Sequence, residues 1–233
     1  MAAGRRQYAD VRTWPASPGV LAILQEELAA QPVTLWRPSG RSSVGGCFVC
    51  FAQAQSGPGE AGDLGWAGAA LGERTSVASG PAPSAYGAGL LALREGPLLE
   101  QAVRALEEPS DVLLVNATGR DHPRGAGLAL HLGAVLGVPT VGVTHRPLLA
   151  SGNWPADGRG ATSPLVHRGE LVGYWLRTRQ GARPLAVHAG WRTGPQVAIE
   201  VVLGSTARSR TPEPIRLART AARAARAQSG PWS

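Results

Sequence analysis

Lysine is absent from this sequence, and cysteine, phenylalanine and methionine are scarce. All 23 basic residues are arginines, and the chain has 2 Cys, 2 Phe and 1 Met. The absence of lysine excludes catalysis through a lysine amine. Arginine carries a planar fork of donors that suits phosphate, so the net charge of +7 is compatible with a nucleic-acid partner. A GC-rich genome would enrich Ala, Gly, Arg and Pro together and explains the same charge, so charge alone does not decide.

The two cysteines, Cys47 and Cys50, have the spacing of a redox motif or of half a zinc site. They lie in an apolar run, and a strand there would direct them to opposite faces. No second cysteine pair exists to complete a zinc site. We therefore predict neither a metal nor a redox role for them.

Long apolar runs are also missing. No stretch approaches the roughly 20 residues that a helix needs to span a bilayer. The N-terminus leads into polar sequence and not into the apolar core of a signal peptide. We expect a cytoplasmic protein without a membrane partner, and the sequence leaves its oligomeric state unknown.

The chain length and the apolar pattern predict one α/β domain. With 233 residues and 43% hydrophobic residues, the chain can bury one core, which we place at 1–228 with a disordered tail at 229–233. Short apolar segments between 44 and 79 suggest an antiparallel meander. A strand, a helix and a second strand follow between 111 and 144, which implies a right-handed parallel crossover.

The segment 111–152 contains a specific series of motifs. A strand leads into a Gly-x-x-His-Pro-Arg turn, a Gly-Leu-Ala-x-His-x-Gly helix and a strand that ends in Gly-Val. This series resembles the central signature of the endonuclease V family. The segments around Tyr86 and after Thr211 resemble further parts of it, so that the resemblance covers 17–222. It implies a ribonuclease-H-like mixed sheet with flanking helices.

The resemblance also implies a metal site, and most of its ligands are replaced. The family binds Mg²⁺ with an Asp on the first strand, a Glu at the start of a helix, an Asp at the end of the next strand and a late His. Of these, only Glu95 is present. Phe48 and Asn116 occupy the Asp positions, and Trp191 aligns with the His of Val-Ser-x-Gly-His. An amide carries no charge for a hard cation, so we expect no metal or cofactor unless the family's Mg²⁺-dependent activity persists.

Four residues are candidates for catalysis: Glu95, Asn116, His122 and His145. Glu95 is either a general acid or base, or a solvent-facing residue at the start of a helix. His145 replaces the Lys of the family's Gly-Val-Ala-Lys strand by a group that titrates near neutrality. His122 and Arg124 either bind an anion such as phosphate at the start of a helix or shape the turn. Asp121 beside them is either a relocated catalytic carboxylate or a surface turn residue.

The resemblance further implies a pocket for a flipped, deaminated base and a Tyr loop that wedges into the duplex. Gly87 replaces the Pro next to this wedge. The late helix places arginines every three or four residues, at 216, 219, 223 and 226, either along a phosphate backbone or on a solvated face. The predicted substrate-binding residues are Tyr86, Gly89, Leu91, Ala117, Arg124, Gly127, Leu128 and Leu148.

Three functions are compatible with this pattern. The first is a protein that binds nucleic acid or a nucleoside without family-type cleavage. The second is an active endonuclease with a rearranged Mg²⁺ site built from Glu95, Asn116 and Asp121. The third is a metal-independent enzyme that acts on a nucleoside or another small molecule in the former base pocket, with groups such as His188 as acid or base.

Overall fold

Eight strands form one mixed sheet in the order β3-β2-β1-β4-β5-β8-β7-β6 in this computed structural model, which describes residues 13–52 and 58–229. β1, β4 and β5 are parallel, and the remaining neighbours pair antiparallel. The predicted α/β class is confirmed. The elements are α1 (Pro18–Ala30), β1 (Val44–Phe51), β2 (Leu64–Leu71), β3 (Arg74–Pro81), α2 (Leu91–Arg104), β4 (Val112–Val115), α3 (Leu128–Leu136), β5 (Thr140–Thr144), β6 (Thr162–His167), β7 (Glu170–Leu176), β8 (Leu185–Ala189), α4 (Pro195–Gly204) and α5 (Glu213–Gln228).

Helices cover both faces of the sheet, and β4 shows why its sequence is apolar throughout. Leu113 and Val115 pack with α2 and α3, whereas Val112 and Leu114 pack on the face that α4 and α5 cover. Because successive strand residues point to opposite faces, a strand between two helical layers must be apolar at every position. Among the described residues, no helix is long and apolar enough to cross a membrane.

The structure differs from the sequence-based prediction at two elements. The strand β6 was not predicted, since Pro164 interrupts its apolar pattern; the strand tolerates this residue because it lies at the sheet edge. The sequence predicts the crossover helix over 125–136, but Gly125 has a φ of 69° and Gly127 is extended, so α3 begins at Leu128.

The predicted boundary at residue 228 coincides with the last residue of α5. Ser229 accepts a hydrogen bond from the indole nitrogen of Trp66 at 3.1 Å. Residues 230–233 of the predicted tail lie outside the described part of the chain. The division into one domain and a tail therefore stays a prediction.

Glycine lets α5 lie directly on β1 and β2. A Cβ at Gly68 would overlap the carbonyl oxygen of Ala218, and a Cβ at Gly46 would lie 2.5 Å from the carbonyl carbon of Pro214. A side chain at either position would push the helix away, because backbone atoms cannot rotate aside as a flexible side chain does. The closeness of this contact also fixes where the arginines of α5 stand above the strand ends.

We expect Gly68→Ala to lower the free energy of unfolding by about 1–3 kcal/mol, the range found for overpacked cores. The measurement is urea unfolding followed by circular dichroism. Gly19→Ala is the matched control, because no heavy atom lies within 4 Å of the added carbon in this exposed first turn of α1. There the same substitution should stabilise by about 0.4–1 kcal/mol. Equal effects at the two sites would contradict the proposed contact.

Candidate functional site

A cavity of about 140 Å³ lies where the parallel strands β4 and β5 end. Ligands of α/β sheets commonly bind beyond the carboxyl ends of parallel strands. The cavity is lined by six of the eight predicted substrate-binding residues. Of the other two, Gly127 is the N-cap of α3, and Arg124 donates to the carbonyl oxygen of Gly89 in the cavity wall. The six are Tyr86, Gly89, Leu91, Ala117, Leu128 and Leu148.

Polar groups reach the same cavity from several elements. Asn116 and His122 from the predicted catalytic set line it, as do Gln25 of α1, Thr118 and Thr144. Among the residues that the structure describes, no side chain of Asp, Glu or Arg lines it. The walls are therefore neutral, with a few hydrogen-bonding groups among apolar surfaces, which is typical of a small-molecule or base pocket.

One wall is fixed by hydrogen bonds to the carbonyl oxygen of Gly89. This oxygen accepts from Gln25 Nε2 at 3.3 Å, His122 Nε2 at 3.1 Å and Arg124 Nη2 at 3.2 Å, and Arg124 Nε donates to Gln25 Oε1 at 2.6 Å. Gly89 has a φ of 74°, a conformation that suits glycine. His122 and Arg124 thus hold the wall of the pocket, which favours a structural role over an anion site.

His122 is neutral in this arrangement. The backbone N–H of Arg124 donates to His122 Nδ1 at 3.3 Å, so the ring proton lies on Nε2 and points to Gly89. Burial, the largest cause, lowers the pKa of His122 to about 4. Both ring nitrogens are engaged, so proton transfer through this residue would require the wall to open. Its predicted catalytic role stays untested.

Glu95 lies in the second turn of α2 and does not line the cavity. Burial raises the pKa of its carboxyl to about 7, and the neighbouring guanidinium of Arg94 opposes the shift. The carboxylate lies close enough to Cys47 to contribute to the raised pKa of that buried thiol. Glu95 therefore faces the protein interior, and its predicted catalytic role also stays untested.

Arg94 was missed by the sequence analysis, although it stands beside Glu95 in the motif. Its guanidinium is buried and donates to Asp63 Oδ2 at 2.6 Å and to the carbonyl oxygens of Glu60 and Ser84 at 2.6 and 2.9 Å. It also lies 4.1 Å from the ring centroid of Phe51. Arg94 thus anchors the loop that carries Tyr86, and the Arg-Glu pair in the motif was the available signal.

The positions of the expected metal ligands lie side by side, but their residues do not fit Mg²⁺. The parallel register pairs Cys47 with Val115, so Phe48 and Asn116 are the next neighbours across the sheet. A phenyl ring cannot coordinate a cation, and the amide brings no charge. Within residues 13–52 and 58–229, no group of three or more His, Cys, Asp or Glu side chains is placed to hold a metal.

Arginine occupies the space above these strand ends. The guanidinium carbon of Arg223 on α5 lies 5.7 Å from the ring centroid of Phe48. Partial burial lowers the pKa of His145 just beyond β5, and the charges of Arg210 and Arg219 lower it further. This end of the sheet therefore carries positive side chains where the resemblance implies carboxylates.

The other two arginines of the α5 row have local partners. Arg216 forms an ion pair with Glu213, and Arg226 donates to the carbonyl oxygen of Phe51 at 3.2 Å. The row is neither one continuous free surface nor a purely solvated face. Arg219 and Arg223 are the members closest to the expected site.

Trp191 is not part of this site. Its backbone N–H donates to Thr140 Oγ1 at 2.8 Å, at the start of β5, whereas the cavity lies at the end of that strand. The indole packs against the cluster that contains Leu28 and Leu130 of α1 and α3. The interpretation of Trp191 as a replaced site residue was wrong, because the antiparallel direction of β8 carries it to the opposite end of the sheet.

Asp121 is fully buried and lies in neither of its predicted environments. Its carboxylate accepts from the backbone N–H groups of Leu148 at 2.6 Å, Leu149 at 2.9 Å and Ala150 at 2.8 Å. It therefore fixes the loop that carries Leu148 to the cavity. With three amide donors satisfied, this carboxylate is a poor candidate for a relocated metal ligand, and it is not a surface residue.

The mixed sheet, its flanking helices and a pocket beyond the parallel strands define a ribonuclease-H-like domain. The endonuclease V family matches residues 64–220. Endonuclease V from Streptomyces coelicolor is 37% identical over 216 residues, which cover 91% of this chain and 92% of that protein. The solved endonuclease V of Streptomyces avermitilis has a TM-score of 0.82 at 31% identity, over 93% of this chain and 96% of its own. The chain belongs to the endonuclease V family.

Two further relatives show how far these likenesses extend. Endonuclease V from Methanopyrus kandleri is 44% identical over 142 residues, and the match spans 61% of each protein. Endonuclease V from Ciona intestinalis, solved with a 23-mer DNA that contains an inosine, has a TM-score of 0.72 at 19% identity, over 88% of this chain and 95% of its own. That second likeness shows the common fold alone.

Proposed function

We propose that this protein binds an inosine-type base, presented by nucleic acid or as a nucleoside, and does not cleave the strand by family-type metal chemistry. The observation that carries the proposal is the neutral cavity of about 140 Å³, which lies beside strand ends that hold Phe48 and Asn116. A base pocket is thus retained next to positions without metal-binding charge. The match to the endonuclease V family, whose resemblance implies a pocket for a deaminated base, supports the ligand class.

The groups that line the cavity suit a flipped base. The apolar side chains of Leu91, Leu128 and Leu148 can contact its ring faces, while the amide of Asn116 and the hydroxyl of Thr118 can bond its polar edge. Tyr86 is 48% exposed at the mouth, so its ring is free to stack on a neighbouring base. These contacts need no cation.

The electrostatics favour binding over metal-dependent cleavage. Two metal-binding carboxylates would concentrate negative charge at the ends of β1 and β4, yet Arg223 and Arg219 face this region. Guanidinium groups attract phosphate directly and repel a divalent cation. The alternative of a rearranged Mg²⁺ site is not supported, because Asp121 already accepts three backbone amides and Asn116 brings no charge.

The expected result is binding without cutting. DNA and RNA that contain one inosine and a 5′ fluorescein label should bind in anisotropy titrations in EDTA, should gain no affinity from Mg²⁺ or Mn²⁺, and should stay intact on denaturing gels with either metal. Matched strands with adenosine should bind more weakly. Affinity should fall as salt rises, because arginine–phosphate contacts release counterions. The Streptomyces coelicolor relative, run in parallel, tests whether the substrates and buffers support metal-dependent cutting.

Metal-dependent cleavage by the purified protein would contradict the proposal outright. Equal affinity for inosine and adenosine strands would show that the protein binds the phosphate backbone alone. That result would also contradict the proposal, because no base would then be recognised in the cavity. Free inosine in excess separates the two presentations of the ligand. If the cavity binds a free nucleoside, excess inosine should displace the labelled strand. If binding requires the strand, excess inosine should not displace it.

A further inference from the structure

Three polar groups from separate parts of the chain meet at the floor of the cavity. Thr144 Oγ1 at the end of β5 lies 3.0 Å from His188 Nε2 on β8, and His188 Nδ1 lies 3.8 Å from Asp121 Oδ2. Thr144 lines the cavity, while His188 and Asp121 are fully buried behind it. Hydroxyl, imidazole and carboxylate thus follow one another from the pocket inward.

The carboxylate of Asp121 lies on the Nδ1 side of the imidazole. His188 Nδ1 is buried and has no hydrogen-bond partner among the described residues, and the nearby oxygen of Asp121 favours a proton on this nitrogen. Nε2 then presents a lone pair to the Thr144 hydroxyl. Burial lowers the pKa of His188 to about 4, against the influence of Asp121, so the imidazole is neutral near pH 7.

The Thr144 hydroxyl has two acceptors for its single proton. Oγ1 lies 2.7 Å from the carbonyl oxygen of Arg146 and 3.0 Å from His188 Nε2. A rotation about the Cβ–Oγ1 bond transfers the hydrogen bond from the carbonyl to the imidazole. In the second position, the oxygen is prepared to give up its proton as a nucleophile.

This relay differs from the metal chemistry of the expected site. Catalytic hydrogen bonds are often long before substrate binds, so a separation of 3.8 Å is compatible with such a role.

We propose that Thr144 is a nucleophile activated by His188 and positioned by Asp121, and that the cavity hydrolyses a small carboxylic ester without a metal. Among the described residues, no charged side chain lines the cavity. It therefore suits a neutral carbonyl electrophile better than a phosphate ester. The side-chain amide of Asn116 lines the same cavity and can donate to the carbonyl oxygen as negative charge develops there.

The proposed steps balance with water as the second reactant. Thr144 Oγ1 attacks the carbonyl carbon while His188 Nε2 takes the hydroxyl proton. The bond from that carbon to the alcohol oxygen breaks, and the proton passes from His188 to the leaving alcohol. Water then attacks the acyl-threonine ester, gives up a proton through His188 and releases the carboxylic acid and the free hydroxyl.

The test uses the full chain with p-nitrophenyl acetate in EDTA. Release of nitrophenolate is followed by absorbance, and peptide mass spectrometry of quenched samples locates the acetyl group. We expect acetylation of Thr144, with turnover that Mg²⁺ does not change. Thr144→Val should abolish both signals, Thr144→Ser should retain them, and His188→Gln should slow acylation by about 100-fold or more, the usual contribution of a general base.

The matched control is Thr220→Val, which removes an exposed hydroxyl on α5 that has a carbonyl partner but no imidazole. It should react like the wild type. His188 is buried, so melting curves must show that His188→Gln is folded. If His188→Gln does not fold, Thr144→Val still decides the test, because valine has nearly the shape of threonine. Acetyl groups found only elsewhere, or equal rates for Thr144→Val and the wild type, would overturn the proposal. The inference does not require base binding, so acetylation without inosine binding would support it while the proposed function fails.

Discussion

Leu148→Glu is expected to weaken binding of an inosine-containing strand by about 5- to 150-fold, equivalent to the roughly 1–3 kcal/mol that one stacked base contributes. Leu148 lines the cavity at its mouth and is 44% exposed. A carboxylate there would have to be desolvated against the base. The side chain is exposed, so the fold should tolerate the change, and the loop backbone stays bound to Asp121.

Leu149→Glu provides the matched control. Leu149 is also 44% exposed and lies one residue further along, but it does not line the cavity. Both variants add the same negative charge at nearly the same place, so general repulsion of phosphate affects them equally. Anisotropy titrations at two salt concentrations should show a large loss for Leu148→Glu alone. Equal losses would show that the nucleic acid contacts this surface without placing a base in the cavity.

The second large effect is acid unfolding. Burial lowers the pKa values of His122, His131 and His188 to about 4, from an ordinary value of 6.5. Because the unfolded chain takes up these protons first, stability is complete above pH 6.5 and is lost as pH falls towards 4. Each histidine contributes about 3 kcal/mol at most. Three such losses together are similar in size to the whole free energy of unfolding of a domain, about 5–15 kcal/mol. We therefore expect the protein to unfold on acidification before the pH reaches 4.

His131→Phe tests this linkage. The ring of His131 stacks on Trp14 with centroids 4.8 Å apart, and neither ring nitrogen has a hydrogen-bond partner among the described residues. A phenyl ring keeps the stacking and removes the titration. The variant should gain stability relative to the wild type as pH falls from 6.5 to 4, as measured by urea unfolding across this range. His145→Phe, at an exposed position, should change it much less.

Glu95 opposes this trend and must be separated from it. Its folded pKa of about 7 lies above the ordinary value of 4.5, so its contribution is present below pH 4.5 and is lost as pH rises through 7. Comparison of each histidine variant with the wild type at the same pH cancels this effect. If His131→Phe and the wild type lose stability in parallel, the lowered pKa of His131 is refuted.

The sequence allowed the fold and most of the pocket to be predicted because their determinants are local. The apolar runs of β4 and β5 and the Gly-x-x-His-Pro-Arg turn occupy short stretches whose order fixes a parallel crossover. The segment around Tyr86 and the turn before α3 then converge on the strand ends, as the cavity shows. β6 was missed because Pro164 interrupts the alternation of apolar and polar residues by which a strand is predicted.

The roles of single polar residues were not predictable in the same way. The sequence places Asp121 in a turn. In the fold, its carboxylate accepts hydrogen bonds from three backbone amides of a loop more than 25 positions away. Trp191 reads as a site residue, but the direction of β8 carries it to the far end of the sheet. Such roles depend on which long-range neighbours supply donors, and sequence spacing does not contain that information.

The amino-acid sequence by itself determined the family, the parallel strands and the presence of Phe48 and Asn116 where the resemblance implies carboxylates, since these follow from residue identity within short motifs. Only the tertiary structure decided that arginines of α5 stand above those positions and that Thr144, His188 and Asp121 meet behind the cavity. The physical reason is that hydrogen bonds and charge interactions act over a few ångströms. Residues from three separate segments reach that range only when the sheet has formed.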